Sequence, residues 1–315
     1  MKALVSIITV NYNGLRDTCE MIDSFRNHET YPHYEIIVVD NGSRLPEAEE
    51  IQERYRGNLV PDGSLSDSPA SDNPASFPPV KVVRNINNGF AGGNNAGLKA
   101  AGGDYLFFIN NDTYITQPIL EALVRRLGDK QNGGVSPMLK YHQCTNTIQF
   151  AGFTPLTPIT LRNHMIGERE PDNGQYSTPH ETAYLHGAAM MIRRDVLQRV
   201  GPMSEVFFLF YEEMDWSVRI RRAGYRLWYE PASVIYHKES MTAQRDTPLR
   251  EFYMSRARML FARRNLSGIN QTLSCLYIGL IATPKKAITH LLHGRISLTM
   301  AVLKGMMHGM ATRLH

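Results

Sequence analysis

The chain has 315 residues, 43% apolar and 20% charged, enough to bury a sizeable core in one large or two ordinary globular domains. Three cysteines, Cys19, Cys144 and Cys275, are odd in number and far apart, which argues against a disulfide framework or a thiolate metal cage and suits a reducing compartment. The net charge of +4 is unevenly spread: residues 252–315 hold nine Lys or Arg and no acid, whereas residues 1–251 hold 25 basic against 30 acidic side chains.

After one Lys the chain enters LVSIITV (4–10), an apolar strand, without the apolar core or cleavage site of a signal peptide. Leu15, Cys19, Ile22 and Phe25 then recur at helical spacing over 15–29. YEIIVVD (34–40) predicts a second strand and EAEEIQERY a second helix. Residues 57–79, rich in Pro, Ser, Asp and Gly, read as a disordered loop insertion. VKVV (80–83), the helix-like NNAGLKAAGG and YLFFI (105–109) complete an alternation that predicts a mostly parallel α/β sheet with flanking helices. Further on, a helix is expected near 117–127, an irregular stretch over 141–182, a strand near 183–192, a helix near 212–223 and strands over 225–236. The boundary is set at 265. Beyond it the basic, acid-free tail predicts helices over 269–282 and 287–307 lying in an anionic membrane interface. Its run LSCLYIGLIA is too short to span a bilayer, and it lacks the clustered aromatic and Arg residues that would point to nucleic acid.

In an open α/β sheet, ligands bind beyond the carboxyl ends of the strands. Here those ends read NYN (11–13), DNGS (40–43), RNINNG (84–89) and NNDT (110–113), four segments of amides and acids on one rim. Turn chemistry accounts for each singly, because Asn and Asp bond their own backbone. Gly89, Gly92, Gly93 and Gly97 open the helix after the third strand, where glycines either let amides approach a phosphate or simply allow tight packing. Their spacing matches neither the dinucleotide fingerprint nor the Walker loop. Glu212, Glu213 and Asp215 follow the apolar FFLFY. Acids are favoured at a helix start by the dipole, and an apolar wall also raises a carboxylate toward a useful general base. His237 closes the strand SVIYH, as a packed side chain or as a metal or phosphate ligand.

Taken together, VSIITVNYNG, IIVVDNGS, NNGFAGGNNAGL, YLFFINNDT, LHGAAMMIRRDVLQRVG, FFLFYEEMDWSVRIRRAGYRLWYEPASVIYH and ARRNL resemble the inverting family 2 glycosyltransferases of GT-A fold, in particular the rhamnosyltransferase-like branch. The resemblance covers nearly all of residues 4–265. It implies a GT-A domain over 1–265, with 266–315 as the membrane-associating tail. It also implies that Asp112, in place of the second acid of an Asp-x-Asp signature, binds Mg²⁺ or Mn²⁺ together with His237. Asn110 and Asn111 would then sit beside the donor, Asn11 and Asp40 would hold the nucleoside, and Asn88 and Gly89 would approach the diphosphate. Glu213 would be the catalytic base with Asp215 as runner-up, while Gly187 and Glu212 would lie on the acceptor side. The expected reaction moves a sugar, dTDP-rhamnose being favoured over UDP-glucose, UDP-galactose or UDP-N-acetylglucosamine, to a lipid-linked or polysaccharide hydroxyl at the cytoplasmic face of the membrane. The competing readings are a nucleotidyltransferase, which normally carries a Gly- and basic-rich loop where this chain has NYNGLRD, and a non-catalytic sugar-nucleotide-binding protein.

Overall fold

The computed structural model describes residues 2–56, 58–60, 78–239 and 246–314. Its elements run β1 (Val5–Asn11), α1 (Leu15–His28), β2 (Tyr34–Asp40), α2 (Glu47–Tyr55), β3 (Asn58–Val60), β4 (Val80–Arg84), α3 (Gly89–Ala100), β5 (Tyr105–Ile109), β6 (Thr113–Tyr114), α4 (Leu120–Arg126), β7 (Asn132–Tyr141) and β8 (Ile148–Phe150). They continue with β9 (His180–Glu181), β10 (Ala189–Arg193), α5 (Arg194–Val200), α6 (Glu212–Arg222), β11 (Arg226–His237), α7 (Pro248–Asn265), α8 (Gly268–Tyr277), α9 (Thr283–Leu292) and α10 (Ile296–Ala311), a π turn over Ile278–Ala282 joining α8 to α9.

One sheet in the order β3-β4-β2-β1-β5-β10-β7-β11-β6 organises the chain, with β8 on β7 and β9 on β11. The half from β3 to β5 is parallel, as the alternation of strands and helices predicts. The other half is mixed, because β10 enters antiparallel to both β5 and β7. Since β11 is parallel to β7, it runs in the direction of β5, and His237 emerges on the same rim as the end of β5. A short antiparallel pairing then sets His237 opposite Thr113, beside Asp112.

Successive strand residues face opposite sides of the sheet, and both faces are covered. Ile7, Ile36, Val38 and Phe107 pack with Ile22 and Phe25 of α1 and Ile51 of α2. Ile8, Ile37, Val39 and Phe108 pack with Ala91 of α3 and with Trp216 and Ile220 of α6. This two-sided burial is why the runs are continuously apolar. The close approach of α3 depends on Gly97, where a Cβ would stand 2.5 Å from Ile8 Cγ2. That glycine serves packing rather than ligand approach.

Three departures from expectation concern edges. Residues 58–60, inside the segment read as a loop, form β3 on the outer edge of β4, while 57 and 61–77 lie outside the described residues. The strand expected near 183–192 forms only as β10 over Ala189–Arg193, entered through a turn closed by the His186–Ala189 bridge. Finally, the tail is continuous in packing with α7. Gly305 and Gly309 of α10 touch α7 so closely that added Cβ atoms would stand 2.2 Å from Phe252 O and 2.6 Å from Arg256 O. Ile278 shares a third apolar cluster with Phe207, Leu260 and Phe261, so the helices after 265 are built onto the segment that precedes α6.

Candidate active site

At the ends of β1 and β2 lies a closed polar network. Asn11 Nδ2 donates to Asp40 Oδ1 at 3.0 Å and to Glu47 Oε2 at 2.8 Å, and Thr18 Oγ1 donates to Asn11 Oδ1 at 2.7 Å. Asn11 is fully buried, so its amide orients Asp40 and cannot itself meet a nucleoside. Asp40 accepts at Oδ1 from both Asn11 and Ser43, which leaves Oδ2 without a hydrogen bond among the described residues. Glu47, which the sequence reading missed, is buried and also accepts the Gly14 N–H at 3.1 Å, tying the α1 start to the α2 start.

Beyond β4, Asn85 donates to the side-chain oxygens of Asn41 and Asn88 at 2.8 Å each, and Asn41 donates to Gly89 O at 3.1 Å. Asn88 is exposed on the rim. Gly89 has φ +88°, and a Cβ there would fall 2.2 Å from Phe208 O, so the start of α3 is clamped under the loop that leads to α6.

The turn after β5 divides its three polar residues. Asn110 stands half-buried on the rim. Asn111, expected beside the donor, instead turns back to α1, donating to Thr18 Oγ1 at 3.0 Å. An amide committed there pins the turn and is not presented to a ligand. Asp112 is 2% exposed, yet among the described residues neither carboxylate oxygen has a hydrogen-bond partner. His237 Nε2 lies 3.3 Å from Asp112 Oδ1 and is likewise without a donor or acceptor in bonding geometry. A buried carboxylate left bare beside an imidazole nitrogen is costly unless a cation shares it. The pair fits an oxygen- and nitrogen-ligated divalent ion that takes its remaining ligands from elsewhere, since no cluster of three or more His, Cys, Asp or Glu side chains surrounds it among the described residues.

Across the rim, the chain climbs into α6 through two consecutive residues of left-handed backbone, Phe210 (φ 71°) and Tyr211 (φ 68°). Non-glycine residues held there store strain that surrounding packing must hold, and here Tyr211 is braced on Phe261 at 5.4 Å. Glu212 is 4% exposed with Oε2 unpartnered, and burial together with the neighbouring Glu213 pushes its carboxyl well above the ordinary range. Glu213 is half-buried, and burial pushes it up to about 7. Its side chain lies along Gly187, whose Cβ would make an ordinary contact with Glu213 Cγ at 3.5 Å.

Asp215 plays another part. It is fully buried, accepting from Arg219 Nε at 2.9 Å, Arg264 Nε at 2.9 Å and Asn265 Nδ2 at 2.8 Å. Bound by two guanidiniums and an amide, it fastens α6 to α7, and proton abstraction from a substrate would require dismantling that anchor. The runner-up base is therefore structural.

Sequence reasoning missed two further residues. His186, within the quoted LHGAAMM, stacks on Phe153 with rings 3° from parallel and accepts the Ala188 N–H at Nδ1, while burial drives its imidazole down to about 3, so it is neutral beside Gly187. Gln149 Oε1 lies 2.9 Å from His237 Nδ1. It sits in the stretch read as irregular, where no periodicity marks it.

A sheet whose carboxyl rim sets an Asp–His pair opposite a carboxylate at a helix start defines a GT-A fold, and solved structures agree. A mannosyltransferase from Pyrobaculum calidifontis, solved with GDP-Man and Mn²⁺, aligns at TM-score 0.59 and 14% identity over 99% of this chain and 88% of its own. GalNAc-T7, solved with UDP, GalNAc and Mn²⁺, aligns at 0.61 and 15% over 95% and 56%. The glycosyl transferase family 2 model matches residues 6–201, and the glycosyl transferase family group 2 model residues 163–311. The chain belongs to glycosyl transferase family 2. It is 25% identical over 246 residues to the O-antigen biosynthesis protein RfbC of Myxococcus xanthus, covering 75% of this chain and 17% of that protein. To the uncharacterized glycosyltransferase EpsJ of Bacillus subtilis it is 22% identical over 249 residues, covering 79% and 64%. The chain thus spans less than two thirds of either relative.

Proposed function

We propose that this chain transfers a sugar, with inversion, from a nucleoside-diphosphate donor to a hydroxyl of a lipid-linked or polysaccharide acceptor, Glu213 serving as the base. One observation carries the reading: a carboxylate raised to about 7 stands against Gly187, on the rim that also bears the bare Asp112–His237 pair. Glu213 takes the acceptor's hydroxyl proton as that oxygen bonds to the anomeric carbon. The bond from that carbon to the diphosphate breaks with its electron pair leaving on the phosphate oxygen, and attack from the opposite face inverts the centre. Asp112 and His237 would hold Mg²⁺ or Mn²⁺, which when bound neutralises charge on the departing diphosphate. Asp40 orients the nucleoside through its free Oδ2, and Asn88, Gly89 and Asn110 line the path of the diphosphate and sugar. Glu212, kept protonated, avoids a second charge beside the base.

Support for a nucleotide sugar with a divalent ion comes from the Mn²⁺ complexes above and from TarS of S. aureus, solved with UDP-GlcNAc at TM-score 0.57 and 14% identity, over 95% of this chain and 79% of that one. dTDP-rhamnose is favoured by a 29% identical stretch of 63 residues shared with a mycobacterial N-acetylglucosaminyl-diphospho-decaprenol L-rhamnosyltransferase, covering 20% of each chain. The RfbC likeness supports cell-surface glycan synthesis. Work at the cytoplasmic face of the membrane is supported by the tail. Twelve of the sixteen large apolar side chains exposed among the described residues fall between Ile269 and Met310, interleaved with Lys285, Arg295 and Lys304. Among the described residues no helix is long and apolar enough to cross a membrane.

The test offers dTDP-rhamnose, UDP-glucose, UDP-galactose and UDP-N-acetylglucosamine with Mn²⁺ and a polyprenyl-diphosphate-linked sugar, and reads the anomeric configuration of the product by NMR. Transfer with inversion from one donor is expected. Retention, release of a sugar 1-phosphate as in nucleotidyl transfer, or donor binding without turnover would each overturn the reading.

A further inference from the structure

We propose that Gln149, itself held by Glu239, is a positioning residue that fixes His237 as its Nδ1–H tautomer and so turns the Nε2 lone pair toward a divalent cation beside Asp112. This rests on reading Asp112 and His237 as the cation site. A carboxylate only accepts, so the Gln149 amide nitrogen, 3.2 Å from Glu239 Oε1, must be the end that faces Glu239. The amide oxygen then faces His237 Nδ1 at 2.9 Å, and an amide oxygen also only accepts. Nδ1 therefore carries the proton. A neutral imidazole, the form that can ligate a cation, has one, so in that form Nε2 is left with its lone pair, 3.3 Å from a carboxylate oxygen that also receives no hydrogen bond among the described residues.

Two electron-rich atoms are thus held side by side in a buried place, where a cation bound between them satisfies both. Metal-ligating histidines are usually oriented in this way through the other ring nitrogen. The support is rigid: Gln149 is 4% exposed, and its β8 neighbours Ile148 and Phe150 are fully buried in the main core. Glu239, two positions after the strand ends, itself holds left-handed backbone with φ 53°. Without this chain of bonds the ring is free to place its proton on Nε2 and bond Asp112 directly, closing the site.

The experiment has two arms. In the metal-free protein, nitrogen NMR of His237 is expected to show a protonated Nδ1 and a bare Nε2, and Gln149→Leu is expected to mix or reverse the two. Mn²⁺ titrated by electron paramagnetic resonance with UDP, and again with dTDP, is expected to bind Gln149→Leu about 10- to 100-fold more weakly, while nucleotide affinity without Mn²⁺ is unchanged. The exchange Gln149→Glu with Glu239→Gln keeps an acceptor at Nδ1 and a donor behind it, and is expected to restore Mn²⁺ binding to within about threefold, well inside that loss. A protonated Nε2 in the wild type, as Nε2–H or imidazolium, overturns the proposal. So does wild-type Mn²⁺ affinity in Gln149→Leu when Asp112→Asn and His237→Ala have lost it, which overturns positioning alone. Wild-type affinity in Asp112→Asn and His237→Ala overturns the cation site itself.

Discussion

The two ends of the rim treat their acids in opposite ways. On the β1–β2 side, Asp40 and Glu47 are buried and hydrogen-bonded to Asn11, Ser43 and the Gly14 amide. On the β5–α6 side, Asp112 and Glu212 are buried as deeply but keep oxygens without partners. Buried polar groups are normally satisfied, because leaving one bare costs free energy. The first set is anchored into a network that leaves Asp40 Oδ2 uncommitted. The second set is poised for something that arrives with the substrate, and Asp215, a few ångströms of helix from Glu213, shows what an acid in the same segment becomes when its partners are built in.

Glu213→Gln is the largest expected break in this contrast. It keeps shape but cannot take a proton, so transfer should fall about 10²- to 10⁴-fold, with nucleotide affinity by calorimetry hardly changed. Asp215→Ala should do the reverse in kind, lowering stability by about 3 kcal/mol through the unpaired Arg219 and Arg264, read as a shifted denaturation midpoint; the lower end of the usual range applies because both guanidiniums keep some water. Gly97→Ala, at the α3–β1 contact, should cost about 1–2 kcal/mol through overpacking by the same measurement. Leu280→Glu with Leu292→Glu should leave stability within about 0.5 kcal/mol, both side chains being more than 70% exposed, while reducing sedimentation with anionic vesicles. Unchanged sedimentation would remove the membrane role of the tail.

The contrast also explains what sequence can and cannot convey. β1, β2 and β5 were legible because two-sided burial writes an unbroken apolar run. The polar rim was legible as a rim, since strand ends in a parallel sheet share one side. Which amide serves the ligand was not: Asn11 and Asn111 look like Asn88 and Asn110 until the neighbours that claim their side chains are placed. Asp215 carried no mark of its clamp, whose partners Arg264 and Asn265 lie about fifty residues on. Gln149 and Glu47 meet their partners across 88 and 36 residues, a separation no local spacing encodes.

With Glu213 proposed as the base and Glu212 as its protonated neighbour, the pH dependence of transfer should follow Glu213 alone. Burial raises Glu213 from 4.5 to about 7, so the folded protein holds this proton more tightly than the unfolded chain. Deprotonation then costs stability as pH rises from about 4.5 through about 7, and over the upper part of that range it switches the base on. Wild-type transfer should rise with a midpoint near pH 7. Glu212→Gln imitates a carboxyl that is already protonated, so it should keep that limb, whereas Glu213→Gln should leave a residual rate without it. A limb that survives in Glu213→Gln and vanishes in Glu212→Gln would contradict the assignment.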